Sequence, residues 1–522
     1  MGENVLRAAL ARGDFVCSAE LVLGRDHTLP EAEAFVRDAA QGVAVRVVSV
    51  TDLPGGNPAL PPDAFVGEIA AQGLTPIAHL TGKDANRALL EGRLHALARA
   101  GVENVLALTG DVQRDGFGGV GKPVHDLDSV LMLRLIEALR AGLTYQVGAR
   151  TVATTPFDFF AGAVVNPFKV REPDLMLQLY KLELKIAAGA RFVITQLGFD
   201  LRKLYELRQY MVREGLAHVP VLANVYVPTA TVARMMQTGE LAGCVAPDEL
   251  VRRLEGETKP ERLERAALMV AAAKDLGFAG AHIGGFGLTH GDFVTILERS
   301  AAIGTLWHER MDELVFPYPD QFYLLPAGKD GLSDATGEYQ CGRSRPRKSL
   351  ALWASRLAHR HIISSRSMVG RIFGARLKPA LARAPHGEWR KGLVPLLLKP
   401  SSVYRHAVLG CVDCGDCIQD HLLYAGCSMG YCYKELRNGP CGGSTPEGMC
   451  EAHPEFPCVW TLVYQNALAA GEDPRRLATT LIPPRDWSLD GTNALVNHYA
   501  EIDNAPRRVT VSARVADAAK EG

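Results

Sequence analysis

The sequence predicts an α/β chain in which a (β/α)8 TIM barrel precedes a basic connecting region and a small cysteine-rich metal-binding domain. Short apolar runs alternate with stretches of helical period through the first half of the chain. Fifteen Lys and Arg then face a single acid, Glu388, between 343 and 405. Eight of the eleven cysteines fall between Cys411 and Cys458. A chain of 522 residues is longer than one hydrophobic core organises, and 47% hydrophobic with 22% charged residues is ordinary globular composition.

The barrel rests on β-branched or apolar runs at 47–50, 76–79, 105–108, 192–195, 221–224 and 280–283. Helical period fills 86–100, 130–141, 175–188 and 260–276 between several of them. Strands apolar on both faces and separated by helices form a parallel sheet, and about eight such units suit a closed barrel. An open doubly wound sheet is the alternative. Polar residues follow the apolar runs at Glu20, Thr51, His79, Asp111, Gln196 and His282. A barrel carries its reactive groups at the C-terminal ends of its strands, so one rim would collect all six. Singly, each also fits a loop cap or a satisfied histidine; their recurrence is what points to a site.

The basic stretch also carries apolar residues at 372–373 and 393–398, which reads as amphipathic helices with loops. A dock for an acidic partner and a wall for an anionic substrate stand beside the plainer reading, a solvated linker. Sparse aromatics (Trp353, Phe373, Trp389) favour the linker and argue against base stacking. The cysteine segment opens C-x2-C-x2-C at Cys411, Cys414 and Cys417 and continues with Cys427, Cys432, Cys441, Cys450 and Cys458. Thiolates so closely spaced converge on a soft metal centre. Three of them plus a distant fourth suit a [4Fe-4S] cluster, which is favoured, whereas four in a tetrahedron suit zinc. Eight candidates leave room for two centres, or for one with spare thiols. Cys17, Cys244 and Cys341 read as ordinary thiols, and 506–522 reads as a tail.

The first residues lack the basic flank and apolar core of a signal peptide, and no apolar run approaches a membrane span. The expectation is a cytoplasmic protein without membrane or nucleic-acid partners, the net charge being −1. A disulfide framework does not suit that setting.

Phe15 to Glu20 is followed by Val48-Ser49-Val50-Thr51, Ala78-His79-Leu80-Thr81, Leu108-Thr109-Gly110-Asp111 and Ile194-Thr195-Gln196. With Gly162 to Pro167, and Lys185 ahead of Ala188-Gly189-Ala190, this ordered set resembles the methylenetetrahydrofolate reductase barrel. The cysteine motif, Arg437 to Gly443, Gly448 to Glu451 and Ile482 to Trp487 are similar to the C-terminal domain fused to some of these reductases, a separate partner subunit in acetogens. The expected divisions are 1–320 for a flavin and folate barrel, 321–405 for the connecting region, 406–500 for the metal-binding domain and 501–522 for the tail.

The resemblance implies hydride transfer through a flavin, FAD favoured over FMN, between 5,10-methylenetetrahydrofolate and 5-methyltetrahydrofolate. NAD(P)H or a reduced electron-carrier protein would supply the electrons, and a homo-oligomer is allowed. It assigns Glu20 as general acid and Asp111 as the carboxylate facing pterin and flavin. Gln196 becomes the folate contact, and Thr51, His79, Ala163 and Lys185 become flavin-site positions. Two departures stand out: Thr109 where many members have Arg, and Leu21 to Gly24 in place of a double-Phe-Pro-Pro sequence. The alternatives are a pterin-dependent methyltransferase with a zinc domain, and a non-catalytic folate-binding or electron-relay subunit.

Overall fold

The computed structural model describes residues 4–241, 243–342, 350–364, 367–372, 374–375 and 402–513. Much of the basic stretch 343–405, including Phe373, Glu388, Trp389 and the apolar run 393–398, lies outside the described residues. The chain divides into two compact units, Met1–Cys341 with Gly442–Glu447 and Ser512–Gly522, and Gly342–Cys441 with Gly448–Val511.

The first unit is the predicted barrel. Its strands are β1 (Val16–Leu21), β2 (Val47–Val50), β3 (Thr75–Thr81), β4 (Asn104–Leu108), β5 (Phe160–Val165), β6 (Phe192–Thr195), β7 (Val221–Tyr226) and β8 (Gly280–Gly284). All neighbours pair parallel, and β1 closes the circle by pairing Val16 with Gly280 and Ser18 with His282. The open doubly wound alternative is thereby excluded.

The barrel floor is apolar. Val16, Val47, Ile77, Leu106, Phe160, Phe192 and Leu222 point inward near the N-terminal ends of their strands and pack on Leu6 and Ala9. These two belong to helix α1 (Val5–Arg12), whose N-cap Asn4 accepts from Arg7 N and reaches Asn104 Oδ1 at 2.9 Å. Phe160 and Phe192 stack at 5.3 Å. A Cβ on Gly162 would come within 2.3 Å of the Phe192 ring, so only glycine admits that ring into the floor. Truncating fully buried Phe192 to Ala would cost ~3–5 kcal/mol.

Two hairpins, Asp115–Gly116 with Gly119–Val120 and Thr144–Val147 with Arg150–Ala153, interrupt the β/α alternation. Beyond β8, the chain to Cys341 is fastened to helix α2 (Leu201–Arg213). There buried Glu206 accepts from Leu324 N at 2.8 Å, Leu325 N at 2.9 Å and Ser333 Oγ at 2.7 Å. A buried carboxylate with three donors is satisfied, so this segment folds as part of the barrel unit.

The described residues of the second unit have little regular structure. Helices α3 (Val459–Ala469) and α4 (Ala494–Ala500) supply Trp460, Val463, Tyr464 and Val496 to its core. Polar contacts do the work of a larger core: Asp416 accepts from Arg437 Nη1 at 2.8 Å and from Asn504 N and Nδ2, both at 2.7 Å. Part of the expected tail is structured here, because Val509–Thr510 pairs antiparallel with Thr480–Leu481. Among the described residues no helix is long and apolar enough to cross a membrane.

Candidate active site and cysteine centres

Counting by twos upward from the floor, the barrel interior turns polar. Val16, Val47, Ile77 and Leu222 are succeeded on the same faces by Ser18, Ser49, His79 and Asn224, and β8 adds His282. All five are buried. Glu20 stands two residues above Ser18, and Thr51 two above Ser49, at the C-terminal rim.

These groups form one connected set. Ser18 Oγ lies 2.8 Å from His282 Nδ1, and His282 Nε2 lies 3.1 Å from Glu20 Oε2. The His79 and His282 ring centroids are 6.3 Å apart. One polar atom from each of Glu20, His79 and His282 falls within 4.8 Å of the others. Burial raises the Glu20 carboxyl, but the hydrogen bond from His282 and the charges of His282 and His79 outweigh it and hold Glu20 below the usual carboxylate range. Burial also pushes His79 down to about 4, against the pull of Glu20. Tyr226, beside Glu20 on β7, is pushed above the usual phenol range by burial first and by Glu20 second.

Four buried polar atoms, Ser49 Oγ, Thr51 Oγ1, His79 Nε2 and Asn224 Oδ1, have no hydrogen-bond partner among the described residues. Burying such groups unsatisfied costs ~1–3 kcal/mol each. They therefore fit a guest with a polar edge, such as a flavin or pterin ring.

The other sequence-derived residues are more scattered. Asp111 follows β4 and is half-buried, after Gly110 at φ +90°, where a Cβ would come within 2.7 Å of Lys83 Cβ. Gln196 follows β6, accepts from Leu197 N at 3.0 Å and lies beside Gly243. Ala163 alternates with Gly162 and Val164 on β5, so it faces away from the barrel interior. Lys185 lies near the end of the helix Glu172–Ala187, where its Nζ donates to Val164 O. Burial first, and neighbouring Lys181 second, lower its ammonium to about 7. Thr109 accepts from Ser129 N at 3.4 Å and thus serves the start of the next helix.

The cysteines separate into two groups within the second unit. Cys411, Cys414, Cys417 and Cys427 line one cavity with Arg405, Gln419 and Ser428. The Nε, Nη1 and Nη2 of Arg405, the amide of Gln419 and the hydroxyl of Ser428 are buried and lack partners among the described residues. Four cysteines beside unspent donors suit an anionic iron-sulfur cluster, whose sulfurs accept hydrogen bonds. Cys432, Cys441 and Cys450 are electrostatic neighbours of one another. The Met449–Pro457 bridge and the bonds Cys450 N to Phe456 O and Cys458 N to Gly448 O set Cys458 opposite Gly448, two residues along the paired strand from Cys450. This second set has the four-thiol composition of a closed zinc site.

Residues 6–277 match the family model described as methylenetetrahydrofolate reductase. The chain belongs to that family. Residues 396–488 match a second model, described as methylene-tetrahydrofolate reductase C terminal, so this family member carries the fused C-terminal domain. It is 25% identical over 186 residues to methylenetetrahydrofolate reductase 2 of Schizosaccharomyces pombe, a match covering 35% of this chain and 28% of that protein. Among solved structures, an uncharacterised Clostridium thermocellum protein that binds two copies of 5-methyl-5,6,7,8-tetrahydrofolic acid aligns with TM-score 0.38 and 13% identity. That alignment covers 58% of this chain and 99% of the other. A 2,3-dimethylmalate lyase aligns with TM-score 0.32 and 15% identity over 59% of this chain and 84% of its own.

Sequence reading named His282 at the rim without giving it a role, and passed over Ser18, Ser49 and Asn224. A period-two count would have found Ser18 and Ser49 two residues before Glu20 and Thr51. Asn224 is a lone polar residue inside the apolar run 221–227.

Proposed function

We propose that this chain reduces 5,10-methylenetetrahydrofolate to 5-methyltetrahydrofolate with a flavin held at the C-terminal end of the barrel. The observation that carries the reading is Glu20 at a rim lined by unpartnered polar atoms, in a chain of this family. A bound reduced flavin would supply the hydride. Thr51 and His79 offer it their free hydroxyl and imidazole, and Lys185 gives charge from behind β5.

Glu20 donates the proton that lets the bridging carbon leave the ring nitrogen, and Asp111 stabilises the cationic carbon that results. Gln196 offers both a donor and an acceptor to the pterin edge. In the second unit, Cys411, Cys414, Cys417 and Cys427 would hold a [4Fe-4S] cluster and Cys432, Cys441, Cys450 and Cys458 a structural zinc ion. A cluster would accept electrons one at a time, so a reduced electron-carrier protein is the proposed donor.

The test is an absorption spectrum of protein purified without oxygen, with iron and zinc analysis of the same sample and a methyltetrahydrofolate assay using chemically reduced protein. Flavin bands, iron near four atoms per chain and product formation are expected. Protein without flavin that forms no product would defeat the reductase reading. Zinc without iron would defeat the proposed electron route and leave NAD(P)H as the donor.

A further inference from the structure

The Ser18, His282 and Glu20 side chains form a hydrogen-bonded line inside the barrel, with steps of 2.8 Å and 3.1 Å. Ser18 and His282 are almost fully enclosed, at 1% exposure each, and the β1–β8 register sets them side by side. Resting on the reductase reading, we infer that Ser18 and His282 are positioning residues that keep Glu20 supplied with the proton it passes to the substrate nitrogen.

Glu20 cannot fill that role alone, because its surroundings favour the carboxylate at neutral pH. A proton must therefore be shared with a neighbour. The groups around His282 are few: Ser18 and Glu20 on β1, Asn224 and Tyr226 on β7, and His79 on β3. Asn224 does not titrate, His79 stays neutral above about pH 4, and the Tyr226 hydroxyl is held in its protonated form. His282 is the neighbour left that touches Glu20.

Ser18 gives the arrangement its direction. With Ser18 Oγ accepting from Nδ1–H, the proton at Nδ1 stays in place and Nε2 becomes the position that gains or loses one. As the carbon–nitrogen bond of the substrate breaks, its electron pair remains on nitrogen and takes the Glu20 proton. The proton on His282 Nε2 moves to Glu20 Oε2, and His282 regains one from solvent water. Each turnover consumes one proton and one hydride, as conversion of a methylene bridge to a methyl group requires.

The experiment compares wild type, His282→Gln and Ser18→Ala in full-length, flavin-loaded protein. Turnover is followed across pH, and the Glu20 carboxyl is titrated by difference infrared spectroscopy against Glu20→Gln. With His282→Gln, kcat is expected to fall on the order of 10²-fold at unchanged KM, and the carboxyl band should titrate at higher pH, because the hydrogen bond and charge with which His282 opposes burial are then gone. Ser18→Ala should lower kcat by about tenfold and shift the same limb of the pH profile, being one hydrogen bond removed. An unchanged carboxyl titration in His282→Gln overturns the inference. Should that variant not fold, an unchanged pH profile in Ser18→Ala does so. If wild type forms no methyltetrahydrofolate, the reductase reading fails while the carboxyl titration still decides the relay.

Discussion

Gly284 and Glu20 face each other across the β1–β8 seam so closely that a methyl group on Gly284 would lie 3.1 Å from Glu20 Oε1 and 3.4 Å from its Cβ. The backbone at Gly284 has no positive φ, so the constraint is the neighbour and not the chain. Gly284→Ala is expected to push the carboxylate off His282 and cut turnover at least about tenfold, for a cost to stability of about 1 kcal/mol. Turnover and thermal midpoint measured together check this. Full activity at an unchanged midpoint would show that the placement of Glu20 is not critical.

Asp416 is the polar hub of the second unit. Its side chain is fully enclosed and holds Arg437, Asn504 and Asp486 N. Removing one partner of a buried pair leaves the other charge uncompensated, so Asp416→Ala is expected to destabilise this unit by ~3–5 kcal/mol. Urea unfolding followed by hydrogen exchange at Trp460 and Val463, both in the same core, reads the loss without interference from the barrel.

The two cysteine groups make opposite predictions. Cys427→Ser is expected to remove iron and leave zinc near one atom per chain, and Cys458→Ser to remove zinc and leave iron. Metal analysis of the two variants beside wild type measures both. Loss of both metals from either variant would mean one shared centre.

Much of this fold was legible because parallel barrel strands are buried on both faces: Val47–Val50 and Phe192–Thr195 read as apolar runs wherever they are met. Glu20 and Thr51 were legible as polar residues closing such runs. The partnership of Glu20 with His282 was not, because 262 residues separate them and only closure of the barrel sets β1 beside β8. Ala163 illustrates the converse: a one-residue choice on a strand decides whether a side chain meets the interior or the helices outside, and sequence likeness alone did not settle it. For the cysteines, spacing pointed to metal, but their division depends on how loops of irregular backbone fold around Asp416.

Lys185 supplies the pH-dependent test. Its ammonium is lowered to about 7 in the folded protein, whereas in the unfolded chain it titrates near ~10.4. Below pH 7 both states are protonated and Lys185 adds no slope. Between about pH 7 and pH 10 the unfolded chain binds the extra proton, so stability rises with pH, by at most ~1.4 kcal/mol per unit. Lys185→Met removes a buried charge of similar length, so it is expected to raise the barrel's thermal midpoint at pH 6 and abolish the rise toward pH 9. Flavin retention should move the opposite way, weakened in the variant at pH 6 where wild-type Lys185 is charged, and similar in the two proteins at pH 9. Melting curves and flavin release at the two pH values measure both effects. A variant that is more stable yet keeps its flavin at pH 6 would remove Lys185 from the cofactor site.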